Sequence, residues 1–412
     1  MAINCTTSSD VKERDTRDLT LLVLTPDYPD EKHRYIGSIY VKSQLEPLKP
    51  FFKKIIVICP VPFSFGMKPS DRYCSDYQYD NVNVYFPRCF FLPRSWPIPF
   101  LTNRQKMSFD FRYRAVLQLI RKRGIGFDLI HAHFTWPSAY IAVQLKEKFH
   151  VPVVATIHED SSWLEEEIRM DQPRLGRTWR ECDVLIRVNK KEVPILSPYN
   201  NHTISIPNGF GPAFHPMDKQ ECRTFLNLSA HHKIVLGLAP LIERKGFSYL
   251  IDAMEQVIKK DPSVICYIGG SGPEKKNLKD RIQVKGLQKN VFLPGFLPES
   301  HIVRWINSAD VFVLPSLHEG NPTVMFECLG CGVPFIGTAV GGIPEIITSD
   351  TYGYVCKSAD ADDLARAIIR ALDKAWDVKA ITGYAKKFSW DSIGCEIMGV
   401  YKELVRLSVP HR

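Results

Sequence analysis

Residues 309–347, ADVFVLPSLHEGNPTVMFECLGCGVPFIGTAVGGIPEII, decide the fold of this chain. Their apolar run at 311–314 has the character of a buried strand and stops at a proline, where a polar loop begins. Thr323 can cap the helix that follows. This helix continues past Glu327, and Gly332 and Pro334 end it. The next apolar residues, 333–338, have the pattern of another strand. This strand–loop–helix–strand unit predicts a parallel sheet covered by helices.

Two glutamates stand out in this stretch, Glu319 in the loop and Glu327 on the helix, eight positions apart. Their spacing alone does not indicate a site, because exposed glutamates are usually only solvated. The start of the predicted helix, however, offers unpaired backbone N–H groups and the positive end of the helix dipole. An anionic or sugar ligand could therefore lie at the helix start with a carboxylate on each side.

The order of residues around the two glutamates is more specific than their spacing. S-x-x-E-G-x-P-x-x-x-x-E, then G-x-P, then GG-x-P-E-I-I resembles the donor-site signature of the retaining glycosyltransferase family 4, the group 1 glycosyl transferases. The resemblance implies an α/β fold of two Rossmann-like, doubly wound domains that face a cleft, the GT-B fold. It also implies a hexosyltransferase activity (EC 2.4) that uses a nucleotide-diphosphate sugar as donor.

The resemblance also assigns roles to residues on the donor side. Glu319 would lie beside the donor sugar, where a carboxylate can hold hydroxyl groups and stabilise positive charge. Glu327 would accept the ribose hydroxyls, a task that suits a bidentate carboxylate. His158, in the family's T-x-H-[ED] position, would face the sugar from the opposite domain. Backbone N–H groups at the helix start, from Asn321 through Pro322 and Thr323 to Val324, would meet the sugar or the phosphate.

Two basic residues follow the first strand of the second predicted domain, in the sequence ERKGF. Lys245 occupies the place of a phosphate clamp, and its neighbour Arg244 is the better bidentate partner for phosphate. The family commonly has G-R five positions before this lysine, but this chain has Ala239-Pro240 there. Either Arg244 or another base substitutes for the missing cation, or phosphate binding is weaker. No D-x-D lies at a strand end, so we expect neither a metal nor another cofactor.

The beginning of the chain has the strand–loop–helix order with which doubly wound sheets present backbone to phosphate. A strand is predicted at 19–24 and a helix near Ser38. The family's glycine pair corresponds to Gly37-Ser38, where Gly37 permits close approach of the donor phosphates and the serine is a departure. His131 and His133 end another strand, but a strand-end histidine is more often a hydrogen-bonded structural residue.

Domain bounds follow from the same resemblance. The polar residues 1–18 lack the apolar core of a signal peptide and are predicted to be a disordered tail. Residues 19–211 would form the acceptor domain and 212–397 the donor domain. The closing helix at about 398–412 would cross back to the first domain.

Two sequence patterns exclude other functions. GGSGPEKK does not complete the dinucleotide fingerprint, because Lys275 occupies the third glycine position, so a nicotinamide oxidoreductase is not expected. The 11 cysteines follow no disulfide framework and indicate reduced thiols. Cys328 and Cys331 form one C-x-x-C, which we interpret as two small core side chains because no second pair accompanies it.

Charge is concentrated in the first domain. The chain carries a net charge of +8, and residues 32–123 hold 17 Lys and Arg against 5 Asp and Glu. Such a region favours anionic partners, although a solvated basic face is the simpler explanation. Residues 60–105 are therefore the candidate contact for a glycan or lipid-linked acceptor or an anionic membrane surface. Nucleic acid is not an expected partner, since no nucleic-acid-binding motif is present. No apolar run has membrane-spanning length, so we expect a cytoplasmic protein, with association on the cytoplasmic face of a membrane as a further possibility.

Two alternatives remain from the sequence. One is a sugar-nucleotide epimerase on the same fold. The other is a non-catalytic partner subunit of a glycosyltransferase, for which Ser38 and Pro240 are the supporting departures. The two glutamates, Lys245 and His158 argue against the partner subunit.

Overall fold

The computed structural model describes residues 16–63, 73–90, 104–169 and 173–407. Most of the predicted tail lies outside these residues; its last part, Thr16–Asp18, forms one 3-10 turn. Of the predicted acceptor-contact region at 60–105, residues 64–72 and 91–103 lie outside them.

The chain divides into two compact units. The first contains residues 1–37, 47–155 and 397–412, and the second contains 38–46 and 156–396. The boundary predicted near residue 212 stays a prediction.

Sixteen strands are described across the two units. In chain order they are β1 Thr20–Leu24, β2 Lys54–Ile58, β3 Val61–Phe63, β4 Tyr77–Tyr79, β5 Val82–Tyr85, β6 Arg88–Phe90, β7 Leu129–His133, β8 Val153–Ile157, β9 Val184–Arg187, β10 Thr203–Ser205, β11 Ile234–Leu238, β12 Ile265–Gly269, β13 Val291–Gly295, β14 Val311–Leu314, β15 Phe335–Thr338 and β16 Gly353–Cys356.

Fifteen α-helices are described between and after these strands. They are α1 Ile39–Leu45, α2 Arg104–Arg123, α3 Tyr140–Phe149, α4 Ser161–Arg169, α5 Pro173–Glu181, α6 Val193–Leu196, α7 Lys219–Phe225, α8 Phe247–Lys260, α9 Lys275–Val284, α10 Glu299–Ser308, α11 Thr323–Gly330, α12 Ile343–Ile346, α13 Ala361–Leu372, α14 Val378–Ala385 and α15 Trp390–Leu407. Among the described residues, none of these helices has the length and apolar character needed to cross a bilayer.

The first unit is built on parallel strands in the order β7-β1-β2-β5, with β4 added antiparallel to β5. β1 lies centrally, where Leu22 pairs with Ile56 of β2 on one side and Ile130 of β7 on the other. Central strands buried on both faces are continuous apolar runs, and the sequence of β1 is such a run. The strand predicted at 19–24 is thereby confirmed.

Residues 397–407 of α15 belong to the first unit. The Tyr401 hydroxyl lies 2.5 Å from Nδ1 of His131. His131 is fully buried, and burial lowers its pKa to about 3. Its ring also stacks on that of His133, with 4.4 Å between centroids. His131 therefore has a structural, hydrogen-bonded role.

The second unit contains a six-stranded, fully parallel sheet in the order β13-β12-β11-β14-β15-β16. Side chains alternate between the two faces of the sheet along β14. Val311 and Val313 lie in the core under α8 and α13. Phe312 and Leu314 lie in the core under α10 and α11. Helices thus cover both faces, as the doubly wound prediction requires.

The ends of these strands bring separate loops together. β11 and β14 are parallel neighbours, so the loops that follow them leave the sheet at the same edge. The N–H of Leu317 in the second loop donates to the carbonyl of Arg244 in the first, at 2.7 Å. The side chains of these two loops therefore meet at one place.

The predicted helix start at Thr323 needs one correction. The N-cap residue is Pro322, with extended backbone (ψ 123°), and Thr323 is the first helical residue. The ring of Pro322 fixes its φ at a value that suits a helix boundary. Pro322 therefore takes the N-cap position, one residue before the position that the sequence predicted.

Candidate active site

Glu319 is the centre of the candidate site, in the loop after β14. Its carboxylate is buried, with only 4% of the residue exposed. Lys245 Nζ and Ser316 Oγ both donate to Glu319 Oε1, the serine at 2.6 Å. Arg244 approaches the other oxygen at 3.8 Å. The serine and the glutamate that begin the sequence motif thus touch each other.

The Lys245–Glu319 ion pair is buried on both sides, with side-chain exposures of 10% and 6%. Taking two charges out of water is costly, and only their attraction and further hydrogen bonds offset that cost. Removing one partner of such a pair typically costs about 3–5 kcal/mol, because the other charge stays buried. The pair therefore places a cation and a carboxylate side by side, and a phosphate could compete for the lysine.

Arg244 differs from Lys245 because its side chain is 42% exposed. Its guanidinium also donates to the carbonyl of His318 at 3.4 Å. Asp160, after β8, lies within electrostatic range. Burial raises its pKa, but hydrogen bonds from Ser162 and the Trp163 N–H, together with the Arg244 charge, lower it overall. Arg244 thus interacts with two carboxylates and remains accessible to a ligand.

The N terminus of α11 lies directly after this carboxylate loop. Within the described residues no side chain caps it, and Thr323 and Val324 in its first turn are partly exposed. Their N–H groups have no partner inside the helix. Pro322 has no N–H, so its part in the predicted site is limited to fixing the helix start. Asn321 is buried, and its amide donates to the Val188 carbonyl at 2.6 Å.

Glu327 lies on α11 and is half-buried. Burial raises the pKa of its carboxyl to about 7, and the negative charge of Glu299 adds to the rise. Among the described residues none donates a hydrogen bond to its carboxylate. A carboxylate held in this way gains from hydroxyl groups that donate to it.

We expect Glu327→Gln to become more stable than the wild type as pH rises. The folded wild type keeps the Glu327 proton up to about pH 7, whereas the unfolded chain loses it near the ordinary value of 4.5. Unfolding thus releases a proton between these values, and wild-type stability falls across this window and stays level above it. Thermal unfolding at about pH 5 and pH 8 measures the change. Glu255→Gln, at an exposed ion pair, should differ from the wild type equally at both pH values.

His158 immediately follows β8, in the second unit. A Cβ added to Gly320 would lie 3.0 Å from the His158 carbonyl, so the backbone of His158 packs against the turn that follows Glu319. Its ring also lies 5.0 Å from that of Tyr40, between centroids. The structure therefore brings His158, Glu319 and Lys245 into one neighbourhood.

Gly37 belongs to the first unit, in the loop after β1. Its φ is +51°, and an added Cβ would lie 3.0 Å from the backbone of Tyr28. A side chain would be strained there, so the loop after β1 requires glycine. Its predicted contact with the donor phosphates stays a prediction.

Sequence reasoning missed the loop after β9, which supports the site. The Asn189 amide donates to the Gly320 carbonyl at 3.2 Å. The Glu345 carboxylate accepts the N–H groups of Lys190 and Lys191, at 2.8 and 2.7 Å. Glu345 belongs to the GG-x-P-E signature, but its partner, more than 150 residues away, left no sequence signal.

Two family models match the chain. The model of group 1 glycosyl transferases matches residues 218–388, which contain Glu319 and Lys245, and that of glycosyltransferase family 4 matches residues 71–213. This chain belongs to the group 1 glycosyltransferases. The family predicted from the sequence is thereby confirmed, and the protein is an enzyme that transfers sugars.

Several known proteins are similar to this glycosyltransferase over most of its length. It is 27% identical over 370 residues to a GDP-mannose-dependent monoacylated α-(1-6)-phosphatidylinositol monomannoside mannosyltransferase of Corynebacterium glutamicum, covering 85% of this chain and 88% of the relative. Sucrose-phosphate synthase of Thermosynechococcus elongatus superposes with a TM-score of 0.77 at 21% identity, covering 94% of this chain and all of the other. Anabaena HepE in complex with UDP-glucose gives 0.71 at 18% identity, covering 93% and 100%. These structures confirm the GT-B fold.

Proposed function

We propose that this glycosyltransferase moves a sugar from a nucleotide-diphosphate donor to a hydroxyl acceptor, retaining the anomeric configuration and using no metal. The observation that carries the proposal is the buried Glu319 carboxylate, held by Lys245 and Ser316 beside the uncapped start of α11. This arrangement offers a carboxylate for sugar hydroxyls and cations for a diphosphate within a few ångströms of each other.

The leaving group determines what the cations do. Cleavage of the anomeric C–O bond leaves the electron pair on a diphosphate oxygen, so negative charge grows there. Lys245, Arg244 and the N–H groups of Thr323 and Val324 would stabilise that charge, as preorganised donors do for developing anions. Lys245 binds Glu319; an incoming phosphate would share the lysine and leave Glu319 able to accept sugar hydroxyls. Gly37 would allow the phosphates close to the backbone.

The sugar and ribose would be held by carboxylates. Glu319 and His158 would lie beside the sugar, where the positive charge of an oxocarbenium-like transition state develops. Glu327 would accept the ribose hydroxyls. The acceptor oxygen would attack the face that the phosphate leaves, and its proton would pass to the departing phosphate oxygen. A new anomeric C–O bond thus replaces the broken one with the same configuration.

The acceptor is proposed to be a glycan or an anionic, lipid-linked molecule. The relative named above acts on a phosphatidylinositol mannoside, and the 17 basic against 5 acidic residues at 32–123 favour such a partner. The same charge supports association with an anionic membrane surface. Flotation with anionic vesicles at low and high salt checks this, because surface attraction weakens as salt rises.

A calorimetric panel of UDP, GDP, ADP and their sugar conjugates tests the donor site. We expect one nucleotide to bind the wild type at about pH 8, where Glu327 is ionised, in the presence of EDTA, and to bind Glu327→Gln more weakly because the ribose hydroxyls lose a charged acceptor. Transfer to an acceptor should then give one anomer, which NMR of the product identifies. Epimerised donor without transfer, a requirement for metal, or an inverted product would each contradict part of the proposal.

A further inference from the structure

Arg187 is a fully buried base at the end of β9. Its guanidinium donates to the carbonyl of Ile157 at 2.5 Å, to the carbonyl of Glu159 at 2.6 Å, and through Nε to the Glu192 carboxylate at 2.8 Å. A buried charge without partners would be very unfavourable, so this one depends on all three acceptors.

Two of those acceptors belong to the residues on either side of His158. β8 ends at Ile157, and beyond that point the sheet no longer orders the chain. Buried carbonyl groups at a strand end need a donor from elsewhere, and the planar guanidinium supplies one to each. Arg187 thus fixes the peptide group that precedes His158 and the one that follows Glu159, which limits the directions in which the imidazole can leave the backbone.

The loop that begins at Arg187 also binds the turn that follows Glu319. Asn189 donates to the Gly320 carbonyl at 3.2 Å, and Asn321 donates to the Val188 carbonyl at 2.6 Å. Asn189 also accepts the N–H of Glu192 at 3.0 Å, which joins this set of bonds to the buried ion pair. One short segment, residues 187–192, therefore touches both strand-end regions that hold the candidate catalytic residues.

We propose that Arg187 is a positioning residue that, with Glu192 and Asn189, holds His158 at a fixed distance from the Glu319 turn. The proposal rests on the proposed function, because it assumes that His158 and Glu319 act on the same donor sugar. Arg187 itself is buried and does not touch the substrate. Its effect is on the turnover step, since a small misplacement of a group near the reacting carbon slows the reaction strongly.

The variants must separate positioning from folding. Arg187→Met alone leaves the Glu192 carboxylate buried and unpaired, so the main variant is Arg187→Met/Glu192→Leu, in which both charges are replaced by apolar side chains. Replacing both members of a buried ion pair is often neutral or stabilising, and the Ile157 and Glu159 carbonyls, which lose their donor, are the contacts under test. Arg223→Met is a matched control: Arg223 is also buried, and it donates to the carbonyls of Ser308 and Ala230 at 3.0 and 3.1 Å. It also pairs with the Asp310 carboxylate at 2.8 Å, which keeps Lys219 as a partner in the variant. Arg223 lies near the N-terminal end of β14, whereas Glu319 lies in the loop after its C-terminal end.

Steady-state kinetics supply the first measurement. We expect the kcat of the Arg187→Met/Glu192→Leu enzyme to fall about 10- to 100-fold with little change in donor KM, and Arg223→Met to keep its kcat. In a His158→Ala background the same double substitution should cause no further fall, because the group that it displaces is already gone. An unchanged kcat in the folded double variant, or an equal fall in both backgrounds, overturns the proposal.

Amide hydrogen exchange supplies a measurement that does not need activity. The segment 153–160 should exchange faster in Arg187→Met/Glu192→Leu than in the wild type, and at the wild-type rate in Arg223→Met. Unchanged exchange in the double variant shows that Arg187 does not hold the His158 segment. If the wild-type enzyme transferred sugar from no nucleotide sugar, the proposed function would be refuted. The exchange experiment would still decide whether Arg187 anchors the segment 153–160.

Discussion

Glu319→Gln is expected to lower kcat/KM for sugar transfer by about 10²–10³-fold, the usual cost of removing one preorganised charged group from an active site. The amide keeps the size of the side chain and can still accept the hydrogen bond from Ser316. It can no longer compensate positive charge on the sugar or balance Lys245. Initial rates with the donor found by calorimetry measure the loss.

The choice of glutamine matters because Glu319 also stabilises the fold. Both substitutions leave Lys245 buried without its carboxylate, but Glu319→Ala also removes the oxygen that accepts from Lys245 and Ser316, so its loss of activity could come from a loss of structure. Thermal unfolding of both variants separates the two causes. Glu255→Gln, which breaks an exposed ion pair with Lys285, is the control and should keep wild-type activity. Full activity of a folded Glu319→Gln enzyme would show that the buried pair serves only the fold.

The sequence predicted the elements well because strands and helices are set by local patterns. The apolar runs of β1, β11 and β14 and the breaks at Gly and Pro are short-range signals. The Glu319 motif was recognisable for the same reason, as its residues lie within one loop and one helix. The cap at Thr323 was wrong because a neighbouring proline took the boundary position.

The contacts that complete the site could not be predicted, since each joins residues far apart in the chain. Glu319 meets Lys245 across 74 positions, and Glu345 meets Lys190 across 155. The raised pKa of Glu327 depends on burial and on Glu299, which belong to the folded state alone. Arg187 and Glu192 are near in sequence, but their isolation from water is a property of packing.

Gly341→Ala is expected to reduce activity at least about 100-fold by moving the Glu319 loop, the effect of an ångström-scale displacement at a reacting centre. Gly341 has a φ of +52°, and an added Cβ would lie 2.3 Å from the Glu319 carbonyl oxygen and 2.5 Å from that of Gly320. Both distances are too short, and the obstructing atoms are backbone, so the loop itself must shift. Kinetics and thermal unfolding of the purified variant measure the two consequences.

Substitutions at two other glycines separate the effect of backbone strain from that of the steric clash. Gly286 has a φ of +68° with no atom within 4 Å of an added Cβ, so Gly286→Ala measures backbone strain alone, about 1–2 kcal/mol. Gly353→Ala would add a clash at the opposite end of the sheet, where the Cβ would lie 1.8 Å from the Phe335 carbonyl oxygen. If Gly353→Ala loses stability and keeps the kcat of its folded fraction while Gly341→Ala loses kcat, the position of the Glu319 backbone governs turnover. Equal losses of kcat in both variants would instead mean that strain anywhere in this sheet disables the enzyme. The position of the Glu319 turn would then not be what governs turnover.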